Sequence, residues 1–351
     1  MKAVIFGVNG QAGSYLSELL LGKGYEVIGV KRRSSNPSLD RIGHINSEKF
    51  SIVEGDITDY CSVYECLKVR PDEIYNLAAM SHVGSSFTQP LHTVEVDTLG
   101  QLNILECVKN LGSGKVFFAA TSEMFGDRFD SKNGIQYQNE QTSFNPRSPY
   151  GIAKVAAFQF TKLYRECYGL FTSSGIMFNY ESPRRGEEFV TRKITKYLGE
   201  LCKRWKAGDI ISKPSSPKLY DIFPVGSPNN QIKLKLGNLD AKRDWGHCAD
   251  TMRAVHLMLN HHTPMDFVIS TGVTRSVREF CDISFSLLGL DYRDYVEIDP
   301  KFLRPCEVPY LNGDSTLARE VLGWSPQISF NELVEEMVRS DVDKRLGFTS
   351  V

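Results

Sequence analysis

The sequence predicts an α/β protein, a doubly wound parallel sheet followed by a smaller, mainly helical second domain, and three observations predict it. Short apolar runs alternate with segments of helical spacing through the first half of the chain. A glycine-rich turn, Gly7-Val8-Asn9-Gly10-Gln11-Ala12-Gly13, follows the first run. After about Asn179 basic residues cluster and strand signals thin out.

Lys2–Phe6 opens the chain as a strand, being too short for the apolar core of a signal peptide. Tyr15, Leu16, Leu19 and Leu20 then lie on one face of a first helix. Glu26–Val30, Phe50–Val53, Glu73–Leu77, Val116–Ala120 and Ser173–Phe178 each read as a further buried strand, and Leu91–Leu111 as a long helix. The division falls at residues 1–178 and 179–351, with part of 236–272 returning to the first domain. In the second, Val190–Lys203 and Ser276–Leu288 are helical. Residues 203–235, broken by Pro214, Pro217, Pro224 and Pro228, form an inserted loop, and the last ten residues a polar tail.

Composition removes several classes of function. A chain of 351 residues buries a core for roughly two domains without disulfide or metal staples. Forty-one basic and forty-two acidic residues leave a net charge of −1, which does not suit nucleic acid as the main partner. No apolar stretch approaches the roughly eighteen residues that span a bilayer. Eight cysteines without a Cys-x-x-Cys pair read as reduced thiols of a cytoplasmic protein, and no metal site is expected.

The glycine turn sits where a strand passes into a helix, the place at which a Rossmann-type fold receives a dinucleotide diphosphate. The second strand ends in Lys31-Arg32-Arg33-Ser34-Ser35 rather than in an acidic residue. Guanidinium groups there suit a 2′-phosphate, so NADP is the expected cofactor. Asp56-Ile57 is positioned either for the adenine edge or, in the case of Asp56, as a helix cap.

Tyr150 and Lys154 stand four residues apart on a helix that Ser148 caps and Pro149 starts. A nearby ammonium lowers a phenol's pKa and fits it to take a hydroxyl proton. Tyr64 and Lys68 repeat the spacing, so the spacing alone carries little. What distinguishes Tyr150 is Thr121-Ser122-Glu123 at the carboxyl end of the fifth strand, where open parallel sheets bind ligands. Thr121 can hydrogen-bond a hydroxyl being oxidised. Glu123 is either a capping or surface carboxylate, or a base that removes a proton acidified by oxidation at the neighbouring carbon.

Together these residues resemble the extended short-chain dehydrogenase/reductase family and, within it, the GDP-mannose 4,6-dehydratases. The likeness runs from Lys2 to about Val338. Its most specific stretches are Lys31–Ser35, Arg147-Ser148-Pro149-Tyr150, Asn179–Gly186 with Phe189–Lys193, and Arg243-Asp244-Trp245-Gly246-His247. The resemblance implies a lyase that dehydrates GDP-mannose to GDP-4-keto-6-deoxymannose without net redox change. It assigns Tyr150, Lys154 and Thr121 to oxidation at C4, Glu123 to the C5 proton and Ser122 to proton transfer at C6.

The resemblance further implies cofactor contacts from Gly7, Asn9, Gly10, Gln11, Gly13, Arg32, Asp56, Ile57, Leu77, Ala79, Tyr150, Lys154, Tyr180 and Arg185. Asn179, Val190, Lys193, Arg243, Arg304 and Glu307 would meet the nucleotide sugar. Cations fit that role, because a diphosphate bound by a nearly neutral protein needs local positive charge. The chain departs from the family's usual residues at Tyr180 (commonly His), Ala12 (Asp), Met80 (Gln) and Phe125 (Tyr), none of which removes a proton-transfer group. Family members pair through helices such as Leu91–Leu111 and Pro149–Tyr168, and the Arg32–Arg41 segment often reaches a neighbour, which implies a homodimer or homotetramer. A UDP-glucuronate decarboxylase resembles the chain at Thr121-Ser122-Glu123, but Ser182-Pro183-Arg184-Arg185-Gly186 and Arg243-Asp244-Trp245-Gly246 favour the dehydratase; a non-catalytic NADP-sensing protein shares the fold, but such sensors commonly lose the Tyr or Lys retained here.

Overall fold

The computed structural model describes residues 1–35, 38–204, 233–302, 306, 308 and 310–347. Its first half runs β1 (Lys2–Phe6), α1 (Gln11–Gly22), β2 (Glu26–Lys31), β3 (Phe50–Glu54), α2 (Tyr60–Leu67) and β4 (Glu73–Asn76). There follow α3 (Val83–Ser86), α4 (Pro90–Val94), a π-helical turn at Glu95–Leu99, α5 (Gly100–Leu111), β5 (Lys115–Thr121) and the hairpin β6 (Asp130–Lys132) with β7 (Ile135–Tyr137). Next come α6 (Pro149–Tyr168), β8 (Thr172–Met177), β9 (Asn179–Glu181), α7 (Val190–Arg204), β10 (Leu234–Leu236) and β11 (Lys242–His247). The chain closes with α8 (Cys248–Asn260), β12 (Phe267–Ile269), β13 (Thr274–Ser276), α9 (Val277–Ser286), β14 (Val296–Ile298), α10 (Thr316–Leu322) and α11 (Phe330–Leu346).

Seven strands pair in the order β12-β8-β5-β4-β1-β2-β3, and every pairing among them is parallel. The order reverses direction at β1, which pairs with both β2 and β4. A crevice therefore opens above the carboxyl ends of the central strands, and it is there that such sheets take ligands. The strands are apolar on both faces because helices cover both: Leu16 and Leu20 of α1 are fully buried on one side, Ile104 and Val108 of α5 on the other.

All six strands read from the sequence lie in this sheet, with two differences of detail. The strand at Phe50–Glu54 is not buried: it forms the sheet edge, and Ile52 and Val53 are each 37% exposed. The seventh strand, β12, is only three residues long, too short to leave a periodic signal. The segment expected as one helix over Leu91–Leu111 contains the π turn, whose extra residue turns Asp97 and Thr98 inward.

A second core gathers α7, α9 and α11 around Trp245, Phe280 and Phe285. The expected polar tail is in part structured. A capping box at Ser329 and Glu332 starts α11, which buries Val342 in this core before ending at Gly347. Two small sheets, β13-β11-β9 and β10-β14, line the crevice side. Among the described residues no helix is long and apolar enough to cross a membrane. Residues 205–232 of the expected loop lie outside the described residues.

Candidate active site

A cavity of about 940 Å³ follows the carboxyl edge of the central strands. At one end Gly7, Asn9, Gly10, Gly13, Arg32, Asp56 and Ile57 line it. Two of the glycines are sterically required. Gly7 has φ +81°, and a Cβ there would lie 2.8 Å from the Ala78 nitrogen; one at Gly13 would lie 2.4 Å from the Gly7 carbonyl oxygen. Gly10 caps α1 without a side-chain bond, so the first N–H groups of the helix face the cavity unscreened by a cap. This is a cradle shaped for a diphosphate. Asp56 is not the cap of α2; Asp59 is, accepting from Cys61 N at 2.9 Å. Asp56 Oδ1 instead accepts from Thr58 N (3.0 Å) and Thr58 Oγ1 (2.8 Å).

Mid-cavity, Leu77 and Ala79 follow β4, Thr121 ends β5, and Ser122 and Glu123 come directly after it. A single 3₁₀ turn begins at Ser122, and Thr121 Oγ1 accepts from Glu123 N at 3.3 Å. Facing them, α6 opens with Ser148 as its cap, accepting from Gly151 N at 3.0 Å, and Pro149 in its first turn. That start sets Tyr150 on the cavity wall across from Thr121. Burial raises the Tyr150 phenol well above its ordinary value, Asp97 and Tyr180 add to the rise, and the Thr121 hydroxyl opposes it.

Lys154 is 2% exposed, with Nζ donating to the Ala119 carbonyl at 3.2 Å and lying 5.8 Å from the centre of the Tyr150 ring. Burial lowers the pKa of its ammonium, and Asp97 opposes that. Asp97 is a site residue that the sequence did not announce. It is 1% exposed, its Oδ1 lies 3.7 Å from Lys154 Nζ and accepts from Met80 N at 3.0 Å. Nothing in its local pattern separates it from a solvated helix carboxylate; the π turn decides its direction.

The far end is lined by Asn179, Tyr180, Arg185, Val190, Lys193 and Arg243. Arg185 stacks 3.5 Å above the Phe189 ring, and its Nε lies 3.2 Å from Glu181 Oε2. Tyr180 is half-buried, and the desolvation of its ring pushes the phenol up to about 12. Lys193 Nζ lies 4.5 Å from the centre of the Phe302 ring, and burial lowers its pKa. Arg243 is fixed by its strand: the next residue, Asp244, accepts from Thr271 N (2.9 Å), Thr271 Oγ1 (2.6 Å) and Gly272 N (2.8 Å). Arg304 and Glu307 lie outside the described residues.

Gln11 also lines the cavity, with both ends of its amide engaged: Nε2 donates to the Tyr180 carbonyl of β9 and Oε1 accepts from Ser182 just past that strand. Arg41, which the sequence reading passed over, lines the cavity with Nε donating to the Arg184 carbonyl at 2.7 Å and Nη1 to that of Asn9 at 3.4 Å. Its position in a basic segment was the available signal. Every predicted residue within the described part, Gln11 included, borders this one cavity.

Fold and crevice define the class, the Rossmann-type extended short-chain dehydrogenases/reductases. A crystal structure of DesIV, a dTDP-glucose 4,6-dehydratase from Streptomyces venezuelae with NAD and TYD bound, matches with a TM-score of 0.83 at 23% identity, over 99% of each chain. The UDP-glucose 4-epimerase of Thermus thermophilus, in complex with NAD, matches at 0.76 and 21% identity over 97% of this chain and 99% of that one.

Within the class, residues 4–207 and 225–337 match the family described as GDP-mannose 4,6 dehydratase. GDP-mannose 4,6 dehydratase 2 of Arabidopsis thaliana is 46% identical over 97% of this chain and 87% of its own length. The human GDP-mannose 4,6 dehydratase is 42% identical over 97% and 91%, and that of Vibrio cholerae serotype O1 40% over 97% and 94%. The chain belongs to the GDP-mannose 4,6-dehydratase family.

Proposed function

We propose that the protein is an NADP-dependent lyase that converts GDP-mannose to GDP-4-keto-6-deoxymannose. The observation that carries this reading is the convergence of Thr121, Glu123, Tyr150 and Lys154 on one stretch of cavity wall, between a glycine cradle and a cationic far end.

The glycine turn and the start of α1 would hold the dinucleotide's diphosphate, Arg32 its 2′-phosphate, and Tyr150, Lys154, Tyr180 and Arg185 its other end. Bound there, the dinucleotide supplies a two-electron acceptor that takes hydride from sugar C4 and gives it back at C6. Tyr150 takes the C4 hydroxyl proton, with Thr121 on the neighbouring wall; the Lys154 ammonium and the charge of a bound dinucleotide would offset the rise that burial gives the phenol. With a carbonyl at C4, the C5 proton is acidic. Glu123 takes it and passes it to the C6 oxygen, which leaves as water, Ser122 assisting there. The proton held by Tyr150 returns to C5, and the balance closes with the loss of one water. Lys193 and Arg243 supply the positive charge for the nucleotide diphosphate, with Asn179 and Val190 beside them and Arg304 and Glu307 assigned by resemblance.

In this reading residues 1–178 form the NADP-binding domain and 179–351 mainly the sugar-nucleotide domain. Leu91 (86% exposed), Leu99, Ile152 and Leu163 form an exposed apolar set on α4 to α6, which supports a homodimer or homotetramer built on these helices. The free cysteines support a reducing, cytoplasmic setting.

The test is a panel of GDP-mannose, UDP-glucuronate and dTDP-glucose with mass detection and NADP supplied. Conversion of GDP-mannose alone, to a product lighter by one water and with no NADPH accumulating, supports the assignment. Turnover of either other sugar with GDP-mannose unchanged refutes it.

A further inference from the structure

Helix α1 grips β9 and the segment that follows it through a row of side chains. Gln11 Nε2 donates to the Tyr180 carbonyl at 3.0 Å, and Ser182 Oγ donates to Gln11 Oε1 at 2.7 Å. Gln11 is 9% exposed. One turn further on, Arg184 Nη1 donates to Ser14 Oγ at 3.1 Å, its guanidinium lies 4.2 Å above the Tyr15 ring, and Nη2 sits 2.7 Å from Glu18 Oε1. Arg41 spans the same seam from Asn9 to Arg184. Arg184 thus has several anchors. Tyr180 has one side-chain anchor on α1, and that is Gln11.

The two sides of this seam have different duties. Gln11 directly follows Gly10 in the glycine cradle, whereas Tyr180 and Arg185 line the opposite wall, with Tyr180 close enough to Tyr150 to affect its phenol. We propose that Gln11 is a positioning residue whose amide latches the Tyr180–Arg185 wall to the glycine turn, so that the two ends of the dinucleotide site move as one piece. Only a side chain offering a donor and an acceptor at this length closes both bonds; a carboxylate would set an acceptor against the Tyr180 carbonyl. The inference rests on the reaction proposed above. That reaction keeps the reduced dinucleotide seated between oxidation at C4 and return of the hydride at C6, and a wall that loosens in this interval lets it escape.

The experiment compares wild type, Gln11→Met, which keeps length and loses both bonds, and Ser182→Ala, which loses one. Thermal unfolding establishes that each is folded. NADPH affinity is measured by nicotinamide fluorescence without sugar, and NADPH released per GDP-mannose consumed by absorbance. We expect Gln11→Met to bind NADPH about tenfold more weakly, the scale of one or two lost hydrogen bonds, and to release NADPH during turnover where wild type releases none. Ser182→Ala should move both readouts the same way by less. A folded Gln11→Met that matches wild type in affinity and release overturns the latch; should Gln11→Met not fold, an unchanged Ser182→Ala does so. A wild-type chain that binds NADPH but leaves GDP-mannose unconverted overturns the proposed reaction instead, while the affinity comparison still decides the latch.

Discussion

Asp97 and Lys154 face each other across 3.7 Å with almost no exposure of either residue, in the wall directly behind Tyr150. Burial works against both charges, raising the carboxyl and lowering the ammonium, and each charge opposes the other's loss. Asp97 Oδ2 is buried and has no hydrogen-bond partner among the described residues, so the lysine is the carboxylate's chief compensation. Tyr150 and, on the helix side, His92 are the other titratable groups that act on the pair, and Tyr180 and Glu123 act in turn on Tyr150.

Asp97→Asn keeps the shape and can still accept from Met80 N, but removes the charge. Lys154 then loses its proton at lower pH, and the alkaline limb of kcat moves toward neutrality, with kcat at pH 8 falling on the order of 10- to 100-fold. A pH–rate profile checks this. Uniform loss at every pH, with the limb unmoved, would mean that Asp97 only holds the backbone at Met80.

Glu123→Gln removes the base assigned to C5 while leaving Tyr150, Thr121 and Lys154 in place. Turnover should fall by about 10²–10⁴, and the variant should stall after the first step with reduced cofactor on the protein. Single-turnover absorbance of the nicotinamide reads this directly. Full dehydration by Glu123→Gln would require another base.

Arg32 lines the cradle end of the cavity just past β2, where a dinucleotide's 2′ position would lie. Arg32→Asp should therefore weaken NADP relative to NAD by about 10- to 100-fold, the worth of a hydrogen-bonded charge pair. Fluorescence titration with the two reduced dinucleotides is the check, and an unchanged ratio would move the phosphate contact elsewhere.

His256 supplies a prediction about the fold alone. It is buried on α8 near the amino end of β4, where Asn260 Nδ2, which also donates to Glu73, lies 3.1 Å from its Nδ1, and burial lowers its pKa from 6.5 to about 4. The fold therefore favours the neutral ring. The stability this contributes is complete above about pH 6.5 and is lost as pH falls toward about 4. Thermal unfolding should show Tm dropping through this window, and His256→Gln should flatten that part of the profile.

What could be read from the sequence was whatever local periodicity or a fixed spacing encodes. Alternating apolar runs gave the six longer strands, and glycines that tolerate no Cβ marked the cradle before any coordinates did. Ser148 and Pro149 marked the start of the helix that aims Tyr150. Three features lacked such a signal. The strand Phe267–Ile269 is too short for a period, the exposure of Ile52 and Val53 depends on which strand ends the sheet, and Asp97 points inward only because one π turn interrupts an otherwise regular helix. The pairing of Gln11 with Ser182, 171 residues later, is set by tertiary contact alone.

The central claim is that one hydride leaves C4 and comes back to C6 within a single bound sugar. GDP-mannose carrying deuterium at C4 tests this most directly, with the product read by NMR and mass spectrometry. Deuterium is expected at C6 of the 4-keto product and none in the free dinucleotide. Product without the label, or labelled NADPH in solution at a stoichiometry matching turnover, would contradict it.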